Sequence, residues 1–488
     1  MEVFSSERRR RHDYFMKVIQ KRIAQLKNIH RIILIGTGES GKSTFLKQMK
    51  LLSSYNQTFP EKYRDQFIPE IQRNLVQALA SILSYMEQAD KHFRGDDTQL
   101  RKARSIIYRI KEDIDRTPDA IAQYTSTTDP QKRQSFFDAC SKLWADTAVK
   151  EAQTKGNEYQ LIDCAQYFLD KINEIREPNY RPTDDDVLHS RTKTLGIHTE
   201  NIVYNSVNFE LVDVGGQREQ RAKWIEAMSD GVTAVIFLTD VSAYDMMLAE
   251  DHTVNRLRES INLLGQVWTK SPLKDKSIIL FLNKQDKLER KVREQRTHLE
   301  TFFPEYITWK TVFVVELLRQ FRDTQASKQT KEAEVWDKYF GHFLPVVKQL
   351  RDNSSRRSTI SEMTKPNAHD SQVLVEYNQV QSMVNKAFSD NLVQGWLSEA
   401  ESDEQAAAAL LEREEFCSFQ RRMHAIPFFQ VVSITTFIQR QFVAQCEQSS
   451  VRQVYPFPTT AIDKRNVDRV FDSCKDILQG KALTELIV

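Results

Sequence analysis

Short apolar runs of strand length recur along the chain. Ile32–Ile35, Val232–Leu238 and Ile278–Leu282 have the length of buried strands and are far too short to span a bilayer. Asn201–Tyr204 and Val207–Val212 add two strand patterns that follow each other as a β-hairpin. Together these runs predict a mostly parallel sheet flanked by helices.

A different pattern fills the region from residue 58 to about residue 185. Apolar residues recur there at helical spacing in Phe67–Met86, Arg101–Ile114 and Asp163–Ile175, and strand-like runs are absent. The pattern predicts an all-helical insertion between two parts of the sheet.

Helices are also predicted at both ends. Residues 1–30 combine cationic positions such as Arg8–Arg11 with an apolar stripe. They are either a solvated surface helix or a docking helix for a partner or an anionic membrane surface. At the other end, apolar spacing predicts a helix from Ile462 to about Gln479, with Gly480 as its C-cap.

Composition narrows the class of protein. Lys and Arg number 69 against 67 Asp and Glu, so the overall charge does not indicate nucleic acid. The 5 cysteines form no C-x-x-C pair, which argues against a disulfide framework or a zinc site. Without a secretory h-region, we expect an intracellular, soluble protein. Met1 is followed by Glu2 and the first cysteine is Cys140, so we expect neither N-terminal myristoylation nor N-terminal palmitoylation.

The first predicted strand runs into a glycine-rich turn and then a helix. Gly36, Gly41, Lys42 and Ser43 satisfy the pattern G-x-x-x-x-G-K-[ST]. Glycines let backbone N–H groups close around an anion, the lysine can neutralise β- and γ-phosphates, and the serine hydroxyl can ligate magnesium. This stretch predicts a nucleotide-phosphate site.

Two later motifs follow predicted strands. Asp213 can hold a magnesium-bound water, and Gly216 lets its amide approach the γ-phosphate. In the sequence Asn283-Lys284-Gln285-Asp286, the Asp286 carboxylate can accept hydrogen bonds from N1 and N2 of guanine, which adenine does not offer. Asn283 and Lys284 would brace the pocket. The three motifs in this order predict GTP rather than ATP.

The chain resembles the alpha subunits of heterotrimeric G proteins. The resemblance rests on Gly36–Thr44 with Lys47–Met49, on Asp186–Ile197, on Asp213–Arg218 with Trp224, on Tyr244–Asp245, and on Ser277–Asp286. The predicted helical insertion lies where that family carries its helical domain. The fold implied is α/β, a P-loop, Ras-like GTPase domain with an inserted all-helical domain.

The resemblance also implies residue roles. Arg191 resembles the built-in arginine finger, and Gln217 resembles the glutamine that orients the attacking water. Ser43 and Thr194 would ligate Mg²⁺, with Asp213 acting through water. The nucleotide contacts implied are Gly36, Glu39, Ser40, Gly41, Lys42, Ser43, Thr44, Asp163, Cys164, Leu188, His189, Ser190, Arg191, Thr192, Lys193, Thr194, Asp213, Val214, Gly215, Gly216, Gln217, Asn283, Lys284, Gln285, Asp286 and Ala461.

Three of these assignments carry extra detail. Glu39 is placed to pair with Arg191, as in the family. Thr460 stands where the family's last guanine motif has cysteine, and the contact expected is the Ala461 amide to the guanine carbonyl. Cys164 stands where serine is usual.

The partners implied are those of the family. The helix after Gln217, with Arg218, Arg221 and Trp224, resembles the surface that binds the beta-gamma dimer or an effector according to the nucleotide. The tail 481–488 resembles the end that reads a G-protein-coupled receptor. Glu485 replaces the cysteine that one toxin-modified subclass carries, so that subclass is excluded. The expected location is the cytoplasm, at the cytoplasmic face of the plasma membrane as a peripheral protein.

A segment of the chain has no counterpart in the family pattern. Residues 308–431 form an extra insertion, with a helical stripe around Trp336–Val347 and a polar stretch, Arg351–Asp370, that resembles a flexible linker. Two interpretations of this insertion stay open: an extra partner surface and a neutral expansion.

The predicted organisation has six parts. They are an N-terminal basic helix at 1–30, GTPase parts at 31–57, 186–307 and 432–488, the helical domain at 58–185, and the extra insertion at 308–431. The predicted function is a GTP-hydrolysing switch acting downstream of receptors. The alternatives are a nucleotide-binding scaffold with little turnover and an unrelated P-loop ATPase.

Overall fold

The computed structural model describes residues 29–192, 194, 196–228, 231–270, 273, 276–295, 297–326, 368–390, 392–397, 403–447 and 452–487. The predicted N-terminal helix lies outside the described residues, apart from residues 29 and 30, which belong to the first strand. The predicted stripe around Trp336–Val347 also lies outside them.

The described strands form one mixed sheet. Their order is β2-β3-β1-β4-β5-β6; β2 is antiparallel to β3, and every other neighbouring pair is parallel. The strands are Ile29–Ile35 (β1), Ile197–Tyr204 (β2), Val207–Val214 (β3), Val232–Asp240 (β4), Ile278–Asn283 (β5) and Val454–Pro458 (β6).

The register aligns the chemistry at one edge of the sheet. Leu34 of β1 pairs with Asp213 of β3, and Asp240 of β4 pairs with Asn283 of β5. Since parallel strands end at the same edge, the loops that follow β1, β3 and β5 meet there. This edge is where a ligand site is expected in an open α/β sheet.

Helices account for most of the remaining described chain. They are Lys42–Ser53 (α1), Glu61–Asp65 (α2), Ile68–Gln88 (α3), Asp97–Arg116 (α4), Ile121–Thr125 (α5), Pro130–Ala145 (α6), Thr147–Gln153 (α7), Ala165–Asp170 (α8), Ile172–Ile175 (α9), Asp184–His189 (α10), Trp224–Ala227 (α11), Arg256–Lys270 (α12), Gln285–Glu294 (α13), Leu299–Phe302 (α14), Tyr306–Ala326 (α15), Ala368–Ser389 (α16), Leu392–Leu397 (α17), Asp403–Leu410 (α18), Glu414–His424 (α19), Pro427–Val443 (α20) and Lys464–Ile487 (α21). Short 3₁₀ segments are Tyr55–Gln57, Pro118–Ala120, Arg218–Lys223 and Val241–Asp245.

The two faces of the sheet bury separate cores. Alternation along β1 sends Ile32 and Leu34 to one face, where they join Phe45 of α1 and Phe471 of α21. Residues of the opposite parity, such as Ile33, face a larger core that contains α12 and α20. Burial on both faces explains why these strands are almost continuously apolar.

Residues 61–175 form helices with a core of their own. Ile71, Leu79, Phe136 and Phe168 are buried in it. Aspartates fix several helix starts; for example, the Asp146 side chain accepts hydrogen bonds from the backbone N–H groups at the beginning of α7. The boundaries of the proposed domains themselves stay predictions.

The extra insertion is helical at both predicted limits. Its predicted start, Thr308, lies inside α15, and its predicted end, Val431, lies inside α20. Phe313 and Phe429 of these helices are buried in the core that also contains Ile33 of β1. The insertion therefore continues the packing of the sheet face. The polar stretch that resembled a linker lies mostly outside the described residues, but its last residues, from Ala368, begin α16.

The predicted end of the C-terminal helix is wrong. The helix α21 begins at Lys464, where the Asp463 carboxylate accepts from the N–H groups of Arg465 and Asn466. It continues through Gly480 to Ile487. A glycine inside a helix costs only about 1 kcal/mol relative to alanine, and the flanking lysine, alanine and leucine residues favour continuation.

Candidate nucleotide-binding site

The glycine-rich loop after β1 wraps around a buried lysine. Lys42 Nζ donates to the carbonyl oxygens of Gly36 and Thr37 at 3.0 and 2.9 Å. Burial lowers the pKa of Lys42 to about 8. The ammonium group is therefore held at the centre of the loop by backbone oxygens, where it can meet a phosphate.

Two glycines are required by close approach. Gly41 has a φ of +99°, and a Cβ there would lie 2.2 Å from Asn283 Nδ2. A Cβ on Gly216 would lie 2.4 Å from Lys42 Nζ and 2.6 Å from the carbonyl oxygen of Gly36. Any side chain at Gly216 would thus displace the lysine from the loop.

Three oxygen-bearing side chains converge beside this loop. Ser43 Oγ lies 2.7 Å from both Thr194 Oγ1 and Asp213 Oδ2, and Thr194 Oγ1 lies 3.4 Å from Asp213 Oδ2. Asp213 is only 2% exposed, and burial raises its pKa. Its second oxygen, Oδ1, has no hydrogen-bond partner among the described residues.

Arg191 and Gln217 flank the same loop. Arg191 Nη2 contacts Glu39 Oε1 at 2.5 Å, so the pair expected from the resemblance is present. Arg256 Nη1 contacts the other oxygen, Glu39 Oε2, at 2.9 Å. The Oε1 atom of Gln217 is buried without a hydrogen-bond partner among the described residues. A buried acceptor without a partner is costly unless a ligand supplies one.

The backbone of Arg191 is held by a residue that the motifs do not include. Asn74 of α3 accepts from the Arg191 N–H at 2.9 Å and donates to the Arg191 carbonyl at 3.0 Å. Cys164 Sγ lies 3.6 Å from Asn74 Oδ1. The helical residues 61–175 therefore reach the segment that carries Arg191.

Asn283 ties together the loops expected to read guanine. Its Nδ2 donates to the Ser40 carbonyl at 2.8 Å, and its Oδ1 accepts from the Ala461 N–H at 3.0 Å and from Thr459 Oγ1 at 3.3 Å. The Ala461 amide thus donates to Asn283 in this structure, and its contact with a guanine carbonyl stays a prediction. Burial raises the pKa of the nearby Asp286 carboxyl.

Lys284 joins the helical residues to the sheet. Its Nζ contacts Asp163 and lies 2.7 Å from Asp240 Oδ2, while Lys287 Nζ lies 2.6 Å from Asp163 Oδ1. Burial alone would raise the pKa of Asp163, but Lys284 and Lys287 hold it well below its usual value. Asp163 is therefore an anion that bridges two parts of the chain.

Two adjoining cavities lie between these groups. The first, of about 530 Å³, is lined by the phosphate loop together with Arg191, Thr194, Asp213 and Gln217. The second, of about 550 Å³, is lined by Asn283, Asp286, Lys287 and Ala461 among others. Both include Gly41, Thr44, Asp163, Cys164, His189 and Lys284 in their walls. One cavity thus continues into the other, as an extended ligand with a phosphate end and a base end requires.

Comparisons with known proteins agree with this geometry. A family model described as G-protein alpha subunit matches residues 9–388. The G(s) subunit alpha of Schistosoma mansoni is 41% identical over 296 residues, which are 60% of this chain and 73% of the relative. The G(olf) subunit alpha of Rattus norvegicus is 40% identical over 309 residues, covering 63% and 76% of the two chains.

The chain belongs to the G-protein alpha subunit family. Members of this family are GTPases that transmit signals, and this alpha subunit is accordingly a GTP-binding, GTP-hydrolysing signal transducer. The α/β fold with an inserted helical region is the one predicted, and the predicted GTPase function is confirmed at the level of the family. An unrelated P-loop ATPase is excluded.

Most of the predicted nucleotide contacts of this alpha subunit line a cavity. Gly36, Val214, Gly215 and Gln285 line neither of the two. The Gln285 side chain donates instead to the Leu282 carbonyl at 2.9 Å and accepts from Thr435 Oγ1 at 3.0 Å. Lys193 lies outside the described residues. The nucleotide contacts of the individual residues stay predictions.

Three cavity or support residues were missed. Arg256 begins α12, Asp240 ends β4, and Asn74 lies in the middle of α3. Asn74 lies on the buried face of α3, three residues after Ile71 and four before Ala78. A polar residue on an apolar face is a local signal, but it does not identify the partner. Asp240 could have been found, because it ends an apolar strand at the same sheet edge as Asn283.

The segment after Gln217 is held by acidic residues. Arg221 Nη1 lies 2.8 Å from Glu259 Oε1, and Arg218 bonds to the same carboxylate and to Asp251. Trp224 Nε1 donates to the Gly215 carbonyl at 2.8 Å. The 3₁₀ segment Arg218–Lys223 is thus fixed against α12 at one side and against Gly215 at its end.

Proposed function

We propose that GTP occupies the two adjoining cavities, with its phosphates on the glycine-rich loop and its base at Asn283 and Asp286. The observation that carries the proposal is the convergence of Lys42, Ser43 and Asp213 at the mouth of the loop. A buried cation and a cluster of hydroxyl and carboxylate oxygens are what a magnesium triphosphate needs.

The oxygen cluster suits Mg²⁺. Ser43 and Thr194 supply hydroxyl oxygens, and the unpartnered Oδ1 of Asp213 gives the cluster a free acceptor for a metal-bound water. Hard oxygen donors of this kind are the ligands that Mg²⁺ prefers. Among the described residues, no group of three or more His, Cys, Asp or Glu side chains could hold a metal, so this mixed set is the candidate. When bound, Mg²⁺ would neutralise charge on the β- and γ-phosphates.

Gln217 and Arg191 have the chemistry for hydrolysis. A water attacks the γ-phosphorus, the bond to the β–γ bridging oxygen breaks, and GDP and phosphate result. The unpartnered Oε1 of Gln217 can accept a hydrogen bond from that water. The Arg191 guanidinium, now on Glu39, can turn to the γ-phosphate and stabilise the charge that develops there.

Guanine selectivity is assigned to Asp286, whose carboxylate lines the base cavity. Burial raises the pKa of this carboxyl, and hydrogen bonds from the N1 and N2 donors of guanine would favour its ionised form. Asn283 supports the pocket by fixing Ser40 and Ala461 relative to each other.

The switch and partner surfaces are proposed from the likeness to the family. Thr194 and Gly216 would contact the γ-phosphate side and release it after hydrolysis. The segment Arg218–Trp224 is proposed to bind the beta-gamma dimer or an effector. Its arginines pair with Glu259, and we expect these ion pairs to change with the nucleotide state. The C-terminal end of α21 is proposed to contact a G-protein-coupled receptor.

The proposed location is the cytoplasmic face of the plasma membrane. Within the part of the chain that the structure describes, no helix has the length and apolar character needed to cross a bilayer. Peripheral attachment through partners is consistent with that finding.

The test is single-turnover GTP hydrolysis with Mg²⁺. Gln217→Leu and Arg191→Cys are expected to bind GTP but to slow hydrolysis strongly, since arginine fingers of this protein class contribute about 10³–10⁵ in rate. Arg104→Ala removes an arginine that pairs with Glu87 on the helical region and serves as the matched control. Full hydrolysis in both variants would overturn the assigned roles. Binding without turnover in the wild type would favour a scaffold.

A further inference from the structure

The carboxamide of Asn74 makes a two-point contact with the backbone of Arg191. Its Oδ1 accepts from the Arg191 N–H at 2.9 Å, and its Nδ2 donates to the Arg191 carbonyl at 3.0 Å. An amide side chain that meets both groups of one residue fixes the position and the direction of that backbone unit. It does so without touching the guanidinium.

Arg191 has no regular structure to hold it. The helix α10 ends at His189 and the strand β2 begins at Ile197, so the Arg191 N–H and carbonyl lie outside both. The preceding residue is fixed from the GTPase side, because Lys47 Nζ donates to the Ser190 carbonyl at 2.8 Å. Asn74, from the helical residues 61–175, fixes the backbone of Arg191 itself.

Asn74 is itself firmly placed. It is 2% exposed on α3, between apolar residues of the helical core such as Leu75. Cys164 Sγ donates to the same Oδ1 at 3.6 Å. A buried amide is costly unless it is hydrogen-bonded, and here its donor and its acceptor are satisfied by the Arg191 backbone.

We propose that Asn74 is a positioning residue for GTP hydrolysis, holding the Arg191 backbone so that the guanidinium can reach the γ-phosphate. The inference rests on the proposed catalytic role of Arg191. Displacement of a catalytic group by about 1 Å can cost about 10²-fold in rate. The helical region therefore takes part in the reaction through one side chain, in addition to covering the nucleotide.

The experiment is a double-mutant cycle on single-turnover hydrolysis, using the full chain with Mg²⁺. Asn74→Ala is expected to slow hydrolysis about tenfold, with GTP affinity changed less than about twofold, because the contact orients rather than binds. In an Arg191→Ala background, Asn74→Ala is expected to have no further effect. Residues that act through one another are non-additive in this way.

Two further variants complete the test. Asn74→Ser shortens the side chain and keeps a polar group, so it also loses both contacts with Arg191. It replaces the alanine variant in the test if that variant does not fold. Gln72→Ala is the matched control, since Gln72 is also buried on α3 and makes no hydrogen bond to Arg191. It should leave the rate unchanged.

The outcomes separate the two proposals. Equal slowing by Asn74→Ala with and without Arg191 would show a merely structural role and overturn the inference, while the role of Arg191 stands. Unchanged hydrolysis in Asn74→Ala and Asn74→Ser would do the same. Unchanged hydrolysis in Arg191→Ala alone would instead overturn the proposed function.

Discussion

Glu376 links the predicted insertion to the helix that follows the proposed guanine motif. This residue of α16 is 8% exposed. Its carboxylate accepts from Arg293 Nη1 and Nη2 of α13 at 2.6 and 3.1 Å, and from the Phe428 N–H at the start of α20 at 3.1 Å. The helix α13 begins at Gln285, inside the motif proposed to read guanine. Replacement of Glu376 by alanine should therefore affect both regions.

The magnitude follows from burial. Removal of one partner from a buried ion pair costs about 3–5 kcal/mol. The Arg293 side chain is 21% exposed and can recover some hydration, so we expect a loss of about 2–3 kcal/mol in the free energy of unfolding. Asp115→Ala is the control, because Asp115 is 60% exposed in its pair with Lys111. Such a surface pair should contribute at most about 1 kcal/mol.

The assay is urea unfolding of the GDP-bound protein with two signals. Tryptophan fluorescence reports unfolding of the aromatic core, which includes Trp309 and Trp396 of the insertion helices, and release of a fluorescent GDP reports the guanine site. Both midpoints should fall together in Glu376→Ala. If the midpoints of Glu376→Ala match those of Asp115→Ala, the Glu376–Arg293 pair contributes little to stability. If only the tryptophan midpoint falls, the insertion is not coupled to the guanine site, and the reasoning is refuted.

Three further predictions concern the site itself. Asp286→Asn should weaken GTP binding by about 10²–10⁴-fold in a fluorescent-nucleotide titration, because the N1 and N2 donors of guanine would lose their acceptor in a buried site. Unchanged affinity would show that Asp286 does not contact guanine. Gly216→Ala should suppress the tryptophan fluorescence change on adding a non-hydrolysable GTP analogue, because its Cβ would lie 2.4 Å from Lys42 Nζ; a full response would contradict the close approach. The folded-state pKa of Lys42, about 8, is below that of an exposed lysine, so the unfolded chain binds more protons between about pH 8 and 10. Between about pH 7.5 and 9.5, the unfolding free energy of the unliganded wild type should therefore rise by about 2 kcal/mol relative to that of Lys42→Met. A difference between their urea midpoints that stays constant over this pH range would refute the prediction.

The site could be predicted where its residues are close in sequence. The phosphate loop is one local turn, and Asn283–Asp286 directly follows a strand, so each motif carries its own backbone context. Asn74 and Arg191 are 117 positions apart, and only the packing of α3 against the segment before β2 brings them together. No periodicity along α3 could show that contact.

The fold was predictable to a similar limit. Apolar runs located the buried strands because both of their faces are covered. The predicted limits of the extra insertion fall inside α15 and α20, because a resemblance ends where the family pattern ends, whereas helices follow continuous apolar faces. These limits stay predictions. Gly480 gave a false helix end, since a glycine marks a C-cap only where the following residues stop favouring helix.

The ion pairs at the two ends of the site differ in whether they can sense the γ-phosphate that distinguishes GTP from GDP. At the phosphate end, Arg191 pairs with Glu39, and a γ-phosphate can compete for that arginine. At the base end, Asp163 pairs with Lys284 and Lys287, where GDP and GTP are chemically identical.

Loss of Lys287 should therefore speed the release of both nucleotides alike. For a pair whose side chains are 25% and 36% exposed, we expect about a two- to fivefold increase in both dissociation rates for Lys287→Ala. Stopped-flow displacement of fluorescent GDP and of a non-hydrolysable GTP analogue measures this. Acceleration of GDP release alone would mean that the base-end pairs respond to the γ-phosphate, and that the two ends of the site are not independent.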